Sequence, residues 1–328
     1  MLKKIVLIVG FVVLANLAGA MGYYFLRTPD MAPPSSIRVE MTEARVARGK
    51  YLFENVCDCD GCHSERDFTR FAGPVVHDGR GKGFIFPPEF GLPGTVTAPN
   101  ITPDIETGIG YWTDGEKIRA IREGIDREGR ALFPFMPYPY YRQMSDEDVQ
   151  SLVAFMNTLR PVKSRWPKTI LNFPVNFLIK GEPQPAKNVP STDRGNKLRY
   201  GGYLVKMAGC AICHSPMKNG ELIESKRFAG GQVLRLPFAS VVSANITPDP
   251  DTGIGKWTEQ QFLDKFYQYR DYVEKGPPRV GPENFTLMPW LGLSQLPPED
   301  LSAIYAFLKS QPAVYNSVEK RPEMTKTE

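Results

Sequence analysis

Histidine is nearly missing from this chain: three occur among 328 residues, alongside five cysteines. So few metal-binding side chains confine any metal site to the places where they gather. An excess of charge of either sign is lacking too. Forty Lys and Arg against 36 Asp and Glu leave +4, which does not suggest a nucleic-acid partner and permits docking to an acidic protein surface. Alternating apolar and polar runs, the mark of half-buried strands, are absent, so an all-α chain with Gly- and Pro-rich loops is expected. The length suits two ordinary domains, and 42% hydrophobic residues supply their cores.

The scarce residues cluster. Residues 56–64 read V-C-D-C-D-G-C-H-S, and 210–214 read C-A-I-C-H. C-x-x-C-H is read as a c-type haem attachment site. The two thiols add to the haem vinyl groups, and the histidine binds the iron as proximal ligand. One helical turn sets both sulfurs and the imidazole against one macrocycle. Cys59, Cys62 and His63 fit, as do Cys210, Cys213 and His214. Tetrahedral zinc would need further ligands, and only His77 is left. Two covalently attached haems c are therefore expected. Cys57 is read as a small, partly buried thiol with no redox role, with an intermolecular bridge as the alternative.

Around these motifs the chain repeats itself. Tyr51-Leu52 recurs as Tyr203-Leu204, and Arg70-Phe71-Ala72-Gly73 as Arg227-Phe228-Ala229-Gly230. Residues 98–113 match 243–258 through a shared N-I-T-P-D-x-x-T-G-I-G-x-W-T. Met136-Pro137 and Met288-Pro289 follow, then amphipathic segments at 145–156 and 297–308. Two copies of one domain are expected, at 38–163 and 192–315, with a linker over 164–191 and a polar tail over 316–328. The linker contains L-N-F-P-V-N-F-L-I (171–179), apolar enough to pack on a domain, a membrane or a partner. Helices are predicted from about Thr42 and about Asp193 into each haem motif. Thr113-x-x-Glu116 and Thr258-x-x-Gln261 read as capping boxes. The last helix has Val149, Leu152, Val153 and Met156 at helical spacing in one copy and begins at Pro297-Pro298 in the other. A loop at 77–91, extra to the first copy, reads as a variable surface loop or a docking surface. The second copy is longer before Met288, through 274–282.

A haem iron held by one histidine has an open sixth position, and a thioether there gives a His/Met site suited to electron transfer. Met136 and Met288 lie late in each copy, beside proline and in register, so they are the expected axial ligands. Met144 is the rival in the first copy.

The amino terminus runs M-L-K-K and then apolar from Ile5 to Leu26. It stays apolar beyond the small-residue stretch Ala18-Gly19-Ala20, which favours an uncleaved anchor over a cleaved signal peptide; residues 1–30 form this segment. Tyr23, Tyr24, Phe25 and Arg27 suit the outer interface, and the basic end stays inside. The expected location is the periplasmic face of a bacterial inner membrane, or soluble periplasm after cleavage.

Both halves resemble class I cytochrome c domains. The N-I-T-P-D-x-x-T-G-I-G-x-W-T phrase, with M-P-Y and S-D-E-D, is similar to the cytochrome c subunits of membrane-bound alcohol, aldehyde and gluconate dehydrogenases, over about 40–315. The resemblance implies helices wrapped round each haem and a role as an electron conduit. The resemblance implies that the Pro74 carbonyl accepts from the His63 ring N–H, while the second copy has Gly231 there. Trp112 and Trp257 are candidates to donate to haem propionates, with aromatic packing as the alternative. Asn100 and Asn245 are candidate loop-structuring residues.

Two functions follow from these features. In one, the chain relays electrons from a membrane-bound dehydrogenase or quinol-oxidising complex to an oxidase or soluble cytochrome. In the other, it is a dihaem peroxidase in which His77 is a detachable iron ligand.

Overall fold

The computed structural model describes residues 2–218 and 220–319, so the expected polar tail lies mostly outside the described residues. Helix α1 (Leu2–Leu26) stands exposed over Lys3–Leu26. The first half contains α2 (Glu43–Tyr51), α3 (Cys59–His63), α4 (Asp114–Glu123), α5 (Tyr138–Tyr141) and α6 (Asp146–Thr158). A short α7 (Val175–Leu178) lies in the linker. The second half contains α8 (Lys197–Met207), α9 (Cys210–His214), α10 (Glu259–Tyr267), α11 (Arg270–Lys275), α12 (Trp290–Leu293) and α13 (Pro298–Lys309).

The helix starts follow local chemistry. Thr42 accepts the Arg45 N–H at the head of α2. Thr113 with Glu116 and Thr258 with Gln261 close full capping boxes on α4 and α10. α8 begins later than expected, capped by Asn196 rather than near Asp193, whose carboxylate instead accepts from Gly195.

In each half the first helix crosses the last, α2 on α6 and α8 on α13. A glycine sits at each crossing. A Cβ on Gly49 would lie 1.8 Å from the Ser151 carbonyl oxygen, and one on Gly201 1.9 Å from that of Ala303. Only glycine permits backbones this close. Leu52, Phe53, Val149 and Leu152 pack into the same core as Leu204, Leu296 and Leu301, which runs through both halves.

The run into the first haem motif is one residue longer than the run into the second. The extra residue is absorbed by a π-helical turn over Leu52–Val56, where Cys57 N–H donates to Leu52 O. Asp58 and Gly209 then occupy the same left-handed corner, φ +47° and +63°, before α3 and α9. Cys57 thereby stands where the second half has Ala208.

Helices carry the core, but the expected all-α description needs correction. Among the described residues, four short antiparallel pairs tie the loops together: β1 (Phe84–Ile85) with β3 (Thr97–Ala98), β2 (Gly94–Thr95) with β4 (Ile170–Leu171), β5 (Met217–Lys218) with β6 (Glu221–Leu222), and β7 (Val233–Leu236) with β8 (Ala239–Val242). These strands are too short for periodicity to reveal, and the longest pair turns through only Pro237-Phe238.

The extra loop of the first copy is not a free surface loop. Phe84 packs on Phe68, and Phe68 meets Phe238 and Phe285 of the other half, with ring centroids 6.0–6.2 Å apart. Phe86 and Phe90 are drawn into the same seam. Its aromatic content is therefore packing material. The second copy's extra stretch meets the first half as well: Phe71 N–H donates to Pro278 O and Val280 N–H to Thr69 O.

Candidate haem sites

α3 and α9 are single turns carrying Cys59, Cys62 and His63, and Cys210, Cys213 and His214. His63 Nδ1 lies 2.9 Å from Pro99 O, and His214 Nδ1 2.7 Å from Ala244 O. A carbonyl only accepts, so Nδ1 carries the proton and Nε2 keeps its lone pair. Desolvation by the protein packed round each half-buried ring holds both imidazoles below the usual histidine range, which keeps them neutral. A neutral imidazole with a free Nε2, one residue after two thiols on the same turn, is the donor set that haem c requires. Burial also pushes the thiols up, those of Cys62 and Cys210 to about 12.

The expected role of Pro74 is overturned. Its carbonyl accepts the Asp67 N–H, and Pro99 takes the place beside the histidine. The cause is a false alignment. Gly83 N–H donates to His63 O and Gly230 N–H to His214 O. Ser64 Oγ accepts from Gly81 N–H and Ser215 Oγ from Phe228 N–H. Arg80-Gly81-Lys82-Gly83 is thus the structural partner of Arg227-Phe228-Ala229-Gly230, and the identical tetrapeptide at 70–73 serves the seam between halves. The two buried serines escaped sequence reasoning, although C-H-S in both motifs was the signal.

Asn100 and Asn245 build the loops that present those carbonyls. Asn100 donates to Val162 O and Thr107 Oγ1 and accepts from Thr102 N–H and Oγ–H. Asn245 repeats this with Val314, Thr252 and Thr247. Asp104 and Asp249 each accept from the threonine three residues on, and these bonds hold both carboxyls below the usual range.

Met136 and Met288 sit half-buried against the core in matching turns. Met136 O accepts from Tyr138 N–H and Met288 O from Trp290 N–H, both at 2.7 Å. The intervening Pro137 and Pro289 have φ/ψ of −79°/44° and −75°/57°, near the inverse γ-turn. Met144 is fully buried, and its counterpart Leu296 is equally buried. Leucine cannot ligate iron, so this position serves packing. Trp112 and Trp257 pack half-buried against the core. His77 projects into solvent, its side chain 95% exposed beside Asp78.

The two attachment turns approach one another. Burial raises the Cys62 and Cys213 thiols, and the nearby Asp58 carboxylate raises both further.

Two cysteine–cysteine–histidine turns, each with a carbonyl-oriented imidazole, are the working part of a c-type cytochrome. Residues 46–160 match the cytochrome c family. A diheme c-type cytochrome of Cereibacter sphaeroides is 32% identical over 309 residues, covering 92% of this chain and 96% of that protein. The fructose dehydrogenase cytochrome subunit of Gluconobacter japonicus is 33% identical, covering 82% and 53%. The cytochrome c subunit of the quinone alcohol dehydrogenase of Gluconobacter oxydans is 28% identical, covering 83% and 56%. This chain belongs to the cytochrome c family. It spans about half the length of the two dehydrogenase subunits. These similarities support electron transfer by haem c.

Proposed function

We propose that the chain relays electrons through two covalently bound haems c, one in each of two domains, 38–163 and 192–315, joined by the linker 164–191. Cys59 and Cys62 attach the first haem and Cys210 and Cys213 the second. His63 with Met136, and His214 with Met288, would hold the two irons. Bound there, the haems would supply reversible one-electron chemistry. The protein's part is to hold Nδ1–H of each imidazole on Pro99 or Ala244, to keep the thioether turns fixed, and to exclude water with the shared core. Trp112 and Trp257 are the proposed donors to haem propionates. α1 anchors the chain at the periplasmic face of the inner membrane. The electron donor is a membrane-bound dehydrogenase or quinol-oxidising complex and the acceptor an oxidase or soluble cytochrome; a dehydrogenase as donor is in keeping with relatives that are named as dehydrogenase cytochrome subunits.

One observation carries this reading: the histidine–carbonyl bond and the Met-Pro γ-turn recur in both halves. The exposure of His77 weighs against the peroxidase, which needs that ring at an iron. A haemochrome assay should give two haems per chain. The oxidised protein should show the weak far-red charge-transfer band of methionine-ligated ferric haem, halved in Met136→Ala or Met288→Ala. A full band in either variant would remove that residue from the ligand set.

A further inference from the structure

The linker presents an apolar face that neither half covers. Leu171, Val175 and Ile179 turn inwards, onto a small core with Phe86 and Val96. Residues beside and between them turn outwards: Ile170, Phe173 and Leu178 are 67%, 75% and 50% exposed. This face is continuous with the end of α1. The Phe25 and Phe177 rings meet at 4.2 Å, and Phe173 packs edge-on to Phe177. Lys180 Nζ donates to Phe25 O, 3.1 Å away, and lies over the Phe177 ring. Gly181 abuts the Arg27 guanidinium so closely that a Cβ there would lie 2.5 Å from Nη1.

Within α1, Lys3–Leu26 is long and apolar enough to cross a membrane, and its apolar window is not buried in the protein. That length crosses a bilayer core. Tyr23, Tyr24 and Phe25 near its end, and Arg27 just beyond it, are of the kind that settle at headgroup level. Whatever is fixed to Phe25 is fixed at that level too. From this continuity we infer that Ile170, Phe173 and Leu178 form an interfacial foot seated in the outer surface of the same bilayer, with Arg27 and Lys180 at the depth of the lipid phosphates. A helix crossing a membrane leaves its cargo free to swivel. A second contact beside it fixes the tilt of the body, and with it the direction in which both haem sites face. The inference rests on α1 being retained as an anchor.

The full-length, haem-loaded protein tests it in nanodiscs of phosphatidylethanolamine and phosphatidylglycerol. In a Cys57→Ala background, nitroxides are attached singly through Phe173→Cys, Leu178→Cys, Leu14→Cys and Tyr315→Cys. Collision rates with oxygen and with a water-soluble nickel chelate are read by EPR on the reduced protein. At 173 and 178 the oxygen-to-nickel ratio should exceed that at 315 several-fold, and at 14 it should be higher still. If 14 reads as membrane but 173 and 178 read like 315, the foot is refuted and the anchor stands; a protein subunit covering that face would give this result. If 14 reads as water, or purified protein lacks it, the anchor reading falls and the foot falls with it.

Discussion

Tyr203 donates its hydroxyl proton to Asp148, 2.6 Å away, across the junction of the two halves. The reverse contact exists as well: Tyr51 donates to Asp300. Each tyrosine lies two residues after a crossing glycine, and each aspartate lies in the first turn of a terminal helix. The partners within each half are also matched, Arg48 on Asp148 and Tyr200 on Asp300. The halves are therefore joined by a self-complementary contact about an approximate two-fold axis, as in a symmetric dimer fused into one chain.

The Arg48–Asp148 pair is mostly shielded, with 16% and 9% of the side chains exposed. Asp148→Ala strands the guanidinium and should cost about 3–5 kcal/mol. Tyr203→Phe removes one bond to a charged acceptor and should cost about 1.5–3 kcal/mol. Urea unfolding followed by haem absorbance measures both. Equal losses would show that the arginine pair adds nothing beyond the tyrosine.

The glycine crossings give a sharper prediction. Gly49→Ala and Gly201→Ala each drive a methyl into a carbonyl oxygen of the facing helix. Neither backbone can yield without separating the pair, so each should cost more than about 3 kcal/mol, at the upper end of overpacking effects. Gly91→Ala serves as a control: its φ of +67° carries backbone strain, but no neighbour lies within 4 Å, so it should cost less. Thermal melts of the three variants would reveal whether the crossing is as tight as described.

If the second haem is bound as proposed, Asn245 links loop structure to redox behaviour. Its four bonds hold the loop that offers Ala244 O to His214. A weaker Nδ1–H bond makes the imidazole a poorer donor to ferric iron, which raises the reduction potential. Asn245→Ala should raise the second haem's potential and leave the first unchanged. Asn100→Ala should do the reverse. A spectroelectrochemical titration resolves the two, and a shift of both haems in either variant would count against local control.

Much of this was legible in the sequence because the chain states it twice. The haem turns, the Met-Pro pairs and the asparagine loops recur at nearly equal spacing, and repetition separates signal from chance. What failed was alignment by identity. Arg-Phe-Ala-Gly occurs twice, yet its two copies do different jobs, and the true partner of the second shares only arginine and the final glycine with it. Backbone hydrogen bonds set that equivalence, and they carry no residue letter: Pro99 and Ala244 do the same work through their carbonyls. The π turn was hidden for the same reason, since one added residue leaves the helical pattern of Leu52, Phe53 and Val56 intact. The seam between the halves needed tertiary information, because Phe84, Phe86 and Phe90 in a Gly-rich loop look alike whether they face solvent or a neighbour.

Asp104 and Asp249 predict how the fold responds to acid. Hydroxyl and backbone bonds from Thr107 and Thr252 hold both carboxyls below 3.8, the value of the free group. A group whose folded value is depressed adds stability that is present above its unfolded value and disappears as pH falls through the folded one. Wild-type stability should therefore decline below about pH 4. Asp104→Asn with Asp249→Asn keeps an acceptor oxygen at each loop but removes the titration. The double variant should be less stable than wild type at pH 7, and the gap should narrow towards pH 2. Urea midpoints measured across that range decide the matter: a gap that stays constant with pH would mean that the charge on these carboxylates contributes nothing to the asparagine loops.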